Sequence, residues 1–197
     1  AVTRAFAEEQ QGVPLGIGVA VYTGVLLGAM PARPFWNSPI LAMLFLISAI
    51  STGVAAILLT RALMHRQSED AKVEHRYHES GYLLTASDTL LIGFELLTIF
   101  LFLMYAHLTI GNVKAAVSVI LSGGALVSLF WFWVVLLGLV VPALIELYLI
   151  VPRLIYHREF AVHRSFEIVV PAVVLVGGFM LRYVVVVAGQ VTHPLGL

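Results

Sequence analysis

The chain has 197 residues; 60% are hydrophobic, only 11% are charged, and the mean hydropathy is +1.00. A soluble domain carries about 25% charged residues, so this composition indicates an integral membrane protein. The formal net charge of zero offers no basic surface for nucleic acid. The absence of cysteine excludes disulfides, thiolate chemistry and iron–sulfur clusters ligated by this chain.

Five apolar runs predict an all-α, polytopic helical bundle with five transmembrane helices. The runs lie at residues 12–30, 39–63, 88–108, 115–151 and 168–189. Four of them are close to the ~20 residues that cross a ~30 Å hydrocarbon core. The run at 115–151 is too long for one perpendicular crossing and too short for two. It predicts one tilted helix that projects beyond the membrane, and Pro142 offers a place for a kink.

The five runs are predicted to form a single integral membrane domain over residues 1–197. The chain begins at Ala1 with a polar lead and has no basic and apolar signal sequence at its start. We therefore expect the domain to be incomplete at its N-terminus. Within the runs, Gly24, Gly28, Gly177 and Gly178 predict close helix contacts, because small residues let helix backbones approach each other.

Basic residues in the loops predict the orientation, since Lys and Arg collect on the cytoplasmic side. Two loops hold most of these residues: Arg61, Arg66, Lys72 and Arg76 in one, and Arg153, Arg158 and Arg164 in the other. The loops on the opposite side hold only Arg33 and Lys114. The N-terminus of this chain is therefore predicted to be cytoplasmic and its C-terminus extracytoplasmic.

Two carboxyls in the third run are candidates for proton transfer. A charge at membrane depth costs at least ~2.5–3.5 kcal/mol, so Glu95 needs a partner or water. Asp88 lies seven residues earlier, close to two helical turns, and therefore shares a face with Glu95. Together they could relay protons inward from the cytoplasm. The alternative is structural, with Asp88 capping the helix and Glu95 pairing with a neighbour.

Arg182 and Tyr22 are further polar groups within apolar runs. Arg182 is followed by Tyr183 and a long valine run, which favours an inward-facing guanidinium with an acidic or carbonyl partner over one that snorkels outward. Tyr22 is predicted to be a buried phenol that needs a hydrogen-bond partner. Glu146 and Glu167 lie near arginines at the cytoplasmic ends of their runs, so solvated ion pairs are expected for them.

No motif indicates a metal or a haem. Histidines on facing helices often hold haem, but only His107 lies at the end of a run. The sequence also contains no Walker loop, dinucleotide-binding glycine pattern or HExxH motif. We expect this chain to bind no haem or metal of its own.

Four segments carry a resemblance to a known family. They are residues 22–24 (YTG), 33–39 (RPFWNSP), 45–53 (FLISAISTG) and 177–190 (GGFMLRYVVVVAGQ). In order and position they resemble the NrfD/polysulfide-reductase membrane-subunit family. The resemblance implies an eight-helix fold in which these runs are helices four to eight.

The resemblance also implies a function. Such a protein is a membrane anchor and quinone-interacting subunit of a respiratory oxidoreductase in a bacterial or archaeal cytoplasmic membrane. Its partners would be a ferredoxin-like iron–sulfur subunit, with a molybdopterin catalytic subunit or a multihaem cytochrome, and the missing N-terminal helices. Its cofactor would be menaquinone or ubiquinone.

The resemblance implies a role for Tyr22, and the roles of the other residues are a hypothesis built on it. Tyr22 occupies the place of a tyrosine that hydrogen-bonds the quinone ring, and Arg182 could stabilise negative charge on a ring oxygen. The partner would dock over the turn that contains Arg33, Trp36 and Asn37, while Glu95 and Asp88 supply protons. Two alternatives stay open: a proton-conducting subunit without its own quinone site, and a passive membrane anchor.

Overall fold

A computed structural model describes residues 2–65, 71–109, 111–122, 124–156 and 163–192. Within these ranges the fold is all helical and has no strand, as predicted. The elements are α1 (Val2–Gly28), α2 (Ile40–Met64), α3 (Ala71–Leu108), α4 (Asn112–Leu121), α5 (Ala125–Ser128), a π-helical segment (Leu129–Val140), α6 (Val141–Tyr156) and α7 (Arg164–Val191).

Four stretches of described helix are long and apolar enough to cross a membrane: Ile40–Met64, His75–Leu108, Leu126–Ile155 and Arg164–Val191. The apolar part of α1, Pro14–Gly28, is shorter than a full crossing. A fifth crossing by the first run therefore stays a prediction. α3 begins 17 residues before the predicted start at residue 88, because its polar N-terminal part continues the same helix.

The region 115–151 differs from its prediction as one tilted helix. α4 ends at Leu121, and Gly124 has φ of 110°, a backbone conformation that side chains other than glycine rarely adopt. The helix that follows runs from Ala125 to Tyr156 through the π-helical segment, which ends two residues before Pro142. A proline has no N–H for the carbonyl four residues earlier, so irregular hydrogen bonding before Pro142 has a local cause.

α2 lies at the centre of the bundle and packs against α1, α3 and α7, while α7 also packs against the π-helical segment. Three of the predicted close glycine contacts are present in this packing. Gly24 lies against the backbone of Ala42, and Gly177 lies against the backbone of Gly138. Gly178 leaves no room for a side chain beside Thr52. These contacts set the distances between the helices that carry the buried polar groups.

The charged loop ends lie at two ends of the bundle. At one end Arg61 of α2, Tyr77 of α3 and Glu167 of α7 line the same cavity. At the other end Arg33 contacts the last residues of α7. This grouping is compatible with the predicted orientation, which stays a prediction; Arg66 and Arg158, two residues on which it rests, lie outside the described residues.

Candidate functional site

Asp88 and Glu95 lie on the inward face of α3. Their side chains are 0% and 3% exposed, so the seven-residue spacing does place both carboxyls in the bundle interior. Between them, Ile92 is also fully buried on this face. Since neither carboxyl meets bulk solvent, each depends on polar groups from α2, α6 and α7.

Asp88 has partners from two helices. The Ser51 hydroxyl of α2 donates a hydrogen bond of 2.9 Å to Asp88 Oδ1. The Glu146 carboxyl of α6 lies next to the Asp88 carboxyl. Apart from that carboxyl, Asp88 Oδ2 meets no donor among the described residues. Asp88 therefore joins α2, α3 and α6 in one polar contact and does not act as a helix cap, because it lies deep inside α3.

Glu146 is buried, so the solvated ion pair predicted for it is wrong. Its side chain is 1% exposed, and the Thr89 hydroxyl donates a hydrogen bond of 2.8 Å to its Oε2. Arg153, one of the arginines near it in sequence, instead stacks over the ring of Tyr82 at 4.2 Å from the ring centroid. A sequence signal existed: Glu146 interrupts an apolar run just as Glu95 does.

Glu95 lies further along the interior, between α2 and α7. It faces the Ser48 hydroxyl of α2 and attracts the guanidinium of Arg182 electrostatically. Arg182 Nη1 donates a hydrogen bond of 2.8 Å to the carbonyl of Gly178, one turn earlier in α7. The inward orientation expected of Arg182 is therefore present, with both a carbonyl and an acidic partner.

Tyr22 is 64% exposed, so the prediction of a buried phenol is wrong within this chain. α1 packs against α2 through Gly24, and a residue two positions earlier lies on nearly the opposite side of a helix with 3.6 residues per turn. Arg182 is on the α2–α3 side of α7, beside Glu95. No described contact brings Tyr22 and Arg182 together.

The turn between α1 and α2 is bound by its own chain. Arg33 Nη1 donates to the carbonyls of Gln190 and Thr192, at 2.8 and 3.2 Å. Trp36 is 7% exposed, and its Nε1 donates a hydrogen bond of 2.8 Å to the Val185 carbonyl. The Trp36 indole is therefore buried against α7, whereas Asn37 is exposed, and docking of a partner over this turn stays a prediction.

Metal ligation is not indicated. Among the described residues, no group of three or more His, Cys, Asp or Glu side chains could hold a metal ion. The absence of haem and metal from this chain stays a prediction.

The comparisons with known proteins decide the family. The family model described as "Polysulphide reductase, NrfD" matches residues 3–194. The chain belongs to the NrfD family. It is 34% identical over 176 residues to a polysulfide reductase chain of Wolinella succinogenes, a match that covers 89% of this chain and 51% of that protein. It is also 35% identical over 187 residues to Protein NrfD of Escherichia coli, covering 90% of this chain and 51% of that protein.

A more distant relative is a selenate reductase subunit of Mesobacillus selenatarsenatis. It is 30% identical over 131 residues, which cover 66% of this chain and 29% of that protein. No solved structure matches the chain. This NrfD-family chain spans about half the length of the first two curated relatives, and with its four long apolar helices it is a multi-pass membrane protein.

Proposed function

We propose that this chain forms part of the quinone-interacting membrane subunit of a respiratory reductase complex. In this proposal it exchanges electrons between membrane quinone and an iron–sulfur or multihaem partner subunit. The observation that carries the proposal is the NrfD-family match over residues 3–194. The names of the relatives support it, since those from Wolinella succinogenes and Mesobacillus selenatarsenatis are named as components of reductases.

Tyr22 is the proposed contact for the quinone ring. A quinone arrives through lipid, so its hydrogen-bond partner must lie on a surface that lipid or a neighbouring helix borders. Tyr22 has this property, because it is 64% exposed on the side of α1 away from α2. Its hydroxyl can donate to a quinone carbonyl or accept from a quinol hydroxyl.

Arg182 is proposed to assist proton transfer. It lies beside Glu95 and donates to the Gly178 carbonyl, so its charge acts first on the Glu95 carboxyl. Quinone chemistry moves two protons with two electrons, and a buried carboxyl is suited to pass them. We therefore propose Asp88 and Glu95 as proton carriers, with Arg182 as the fixed positive charge beside them.

The test of the quinone site is Tyr22→Phe in the complete complex. We expect quinol-linked turnover to fall by about 10–100-fold, because the variant removes one positioned hydrogen bond to the reacting ring. Turnover with a soluble donor that bypasses the quinone should be unchanged. Tyr148→Phe is the matched control, since Tyr148 is 77% exposed on α6 and has no role in the proposal. Equal quinol-linked turnover in the two variants would remove Tyr22 from the mechanism.

A proton-conducting subunit without its own quinone site is the second candidate. The observation that favours it is the burial of Asp88, Glu95 and Glu146 in this chain, while Tyr22 lies apart from all three. Extraction of the purified complex separates the two candidates. Bound quinone that is retained by the Tyr148→Phe complex and lost from the Tyr22→Phe complex supports the quinone site; equal retention favours the proton-conducting candidate.

A further inference from the structure

A small cavity lies between α2, α3, α6 and α7 at the Arg61 end of the bundle. Its volume is about 40 Å³. A single buried water needs roughly 10–15 Å³ on this measure, so the cavity has room for about three. Its polar lining comes from all four helices: Arg61, Tyr77, His78, Thr85, Glu146 and Glu167.

The lining contains polar groups that suit water. Arg61 Nη2 donates to the Tyr77 carbonyl at 2.7 Å and to the Ser80 hydroxyl at 3.0 Å. Arg61 Nη1 is buried and has no hydrogen-bond partner among the described residues. A buried donor without a protein partner is normally bound to ordered water. Arg61 Nη1 is thus a donor that water in the cavity could satisfy.

Glu146 forms the inner wall and connects the cavity with Asp88. The two carboxyls lie next to each other, although both side chains are almost completely buried. Ionised carboxylates only accept hydrogen bonds, so this contact requires one proton between the two groups. Asp88 Oδ2, which meets no other donor among the described residues, is the atom that such a proton would satisfy.

Two hydroxyl groups contact the pair, and the ionisable side chains of Arg61, His78 and Glu167 line the cavity beside Glu146. Ser51 of α2 and Thr89 of α3 donate hydroxyl hydrogen bonds to Asp88 and Glu146, respectively. α7 presents the apolar Val170 and Pro171 to the cavity. Glu95 lies seven residues further along α3, about 10 Å at 1.5 Å per residue. Among the described residues of α3, Glu95 is the next buried carboxyl after Asp88.

We propose that this cavity is the water-filled entrance of a proton path, and that Glu146 passes protons from its water to Asp88. In one step, an excess proton that reaches the cavity from the aqueous side as hydronium binds to Glu146 and leaves a neutral water behind, and the shared proton moves to Asp88. Asp88 then passes it toward Glu95, and Glu146 is left ready to repeat the step. No oxidation or reduction takes place in the transfer. The inference rests on the proposed function only for the reaction that consumes the protons.

The first test is infrared spectroscopy of the complete complex at rest, without quinone turnover. A protonated carboxyl gives a carbonyl band that shifts when its proton is exchanged for deuterium. We expect this band in the wild-type complex and its loss in Glu146→Gln, because the amide takes over the hydrogen bonds of the acid but carries no exchangeable acid proton. Glu79→Gln, at an exposed position of α3, should keep the band. A band that is unchanged in Glu146→Gln would overturn the shared proton.

The second test fills the cavity with a larger side chain. Ala62 is 2% exposed and lines the cavity, so Ala62→Val adds two methyl groups where water would stand. We expect the exchange of the carboxyl proton for deuterium, followed by the band shift, to slow by about tenfold or more. The reason is that the added methyl groups fill a space that holds only about three waters. Ala106→Val, at an equally buried site near the other end of α3, controls for overpacking and should exchange like the wild type. Equal exchange in all three proteins would overturn the entrance.

Turnover measurements then link the path to the reaction. In vesicles that contain the complete complex, Glu146→Gln should lower the rate of proton uptake by about 100-fold. This value is the lower end of the range of rate losses expected when a positioned proton-transfer group is removed. Suppose that Glu146→Gln loses the band and Ala62→Val slows the exchange, while Tyr22→Phe keeps its quinol-linked turnover. These results would contradict the quinone proposal and support the proton entrance. The opposite result, a damaged Tyr22→Phe variant with an unchanged band, would overturn the entrance alone.

Discussion

The Gly138–Gly177 contact should determine how closely α7 approaches the long helix that carries Glu146. A Cβ atom on Gly138 would lie 2.6 Å from the Cα atom of Gly177. Non-bonded carbon atoms rest about 3.5–4.0 Å apart, so Gly138→Ala forces the two backbones apart by about 1 Å. Because the obstacle is backbone, no side-chain rotation relieves it.

The magnitude follows from the lost contacts. A gap of about 0.5–1 Å forfeits a quarter to a half of the dispersion attraction of each atom pair, and overpacking of this kind costs about 1–3 kcal/mol. For a chain of this size, 1 kcal/mol shifts Tm by about 2–4 °C, so a cost of about 2 kcal/mol lowers Tm by about 4–8 °C. Gly93→Ala should not lower Tm, because no atom lies within 4 Å of its Cβ position.

The assay is thermal unfolding of the complete subunit in detergent, followed by the loss of helical circular dichroism. Gly138→Ala and Gly93→Ala make the same chemical change within a helix, so the difference between their Tm values measures the effect of the Gly138–Gly177 contact. The carboxyl band of the Glu146 pair provides a second readout, since a displaced α7 should also alter the cavity. If the two variants unfold at the same temperature, the backbone contact does not hold these helices together.

Two further predictions concern buried side chains. Trp36→Phe should lower the free energy of unfolding by about 1 kcal/mol, because the hydrogen bond to the Val185 carbonyl is lost. Trp36→Ala should lower it by about 3–5 kcal/mol, because it also leaves a cavity. Equal free energies of unfolding for the two variants would contradict the packing role. Glu146→Leu should lower the free energy of unfolding by about 1–3 kcal/mol, because it removes the carboxyl that would share a proton with the buried Asp88 Oδ2, while Glu146→Gln stays near wild-type stability.

The helices that the sequence predicts well are those whose ends are determined by the length of an uninterrupted apolar run. The predicted ends of the second and fifth runs, 39–63 and 168–189, lie within four residues of α2 and α7. A helix in lipid must satisfy its own backbone hydrogen bonds, so an uninterrupted apolar run leaves little choice of structure. The family resemblance was also confirmed, because it rested on motif residues near both ends of the chain.

The break near Gly124 was missed for a physical reason. Two adjacent glycines permit close helix packing, and they equally permit a turn; only the backbone conformation distinguishes the two. Gly124 adopts φ of 110°, which ends the continuity between α4 and the next helix. A glycine doublet within an overlong apolar run is therefore a signal for a break, and the length of 115–151 was the available warning.

The burial of Glu146 and Trp36, which the sequence did not predict, has one cause. Each residue type has a usual place at the membrane boundary, but its actual place is decided by helices far away in sequence. Trp36 is buried because Gly189 leaves room for its indole on α7, 153 residues later. Glu146 is buried because Asp88 and Thr89 of α3 present groups that can share its proton and donate to its oxygen.

The packing contacts and the polar groups form one arrangement. Trp36 and Arg33 hold the C-terminal end of α7 against the α1–α2 turn, and the Gly138–Gly177 crossing holds its middle. Arg182 lies between these two fixed points, so its position beside Glu95 follows from backbone packing and from the hydrogen bonds of Arg33 and Trp36. A membrane interior offers no solvent to compensate a displaced charge, and close backbone packing is therefore a condition for any proton path along α3.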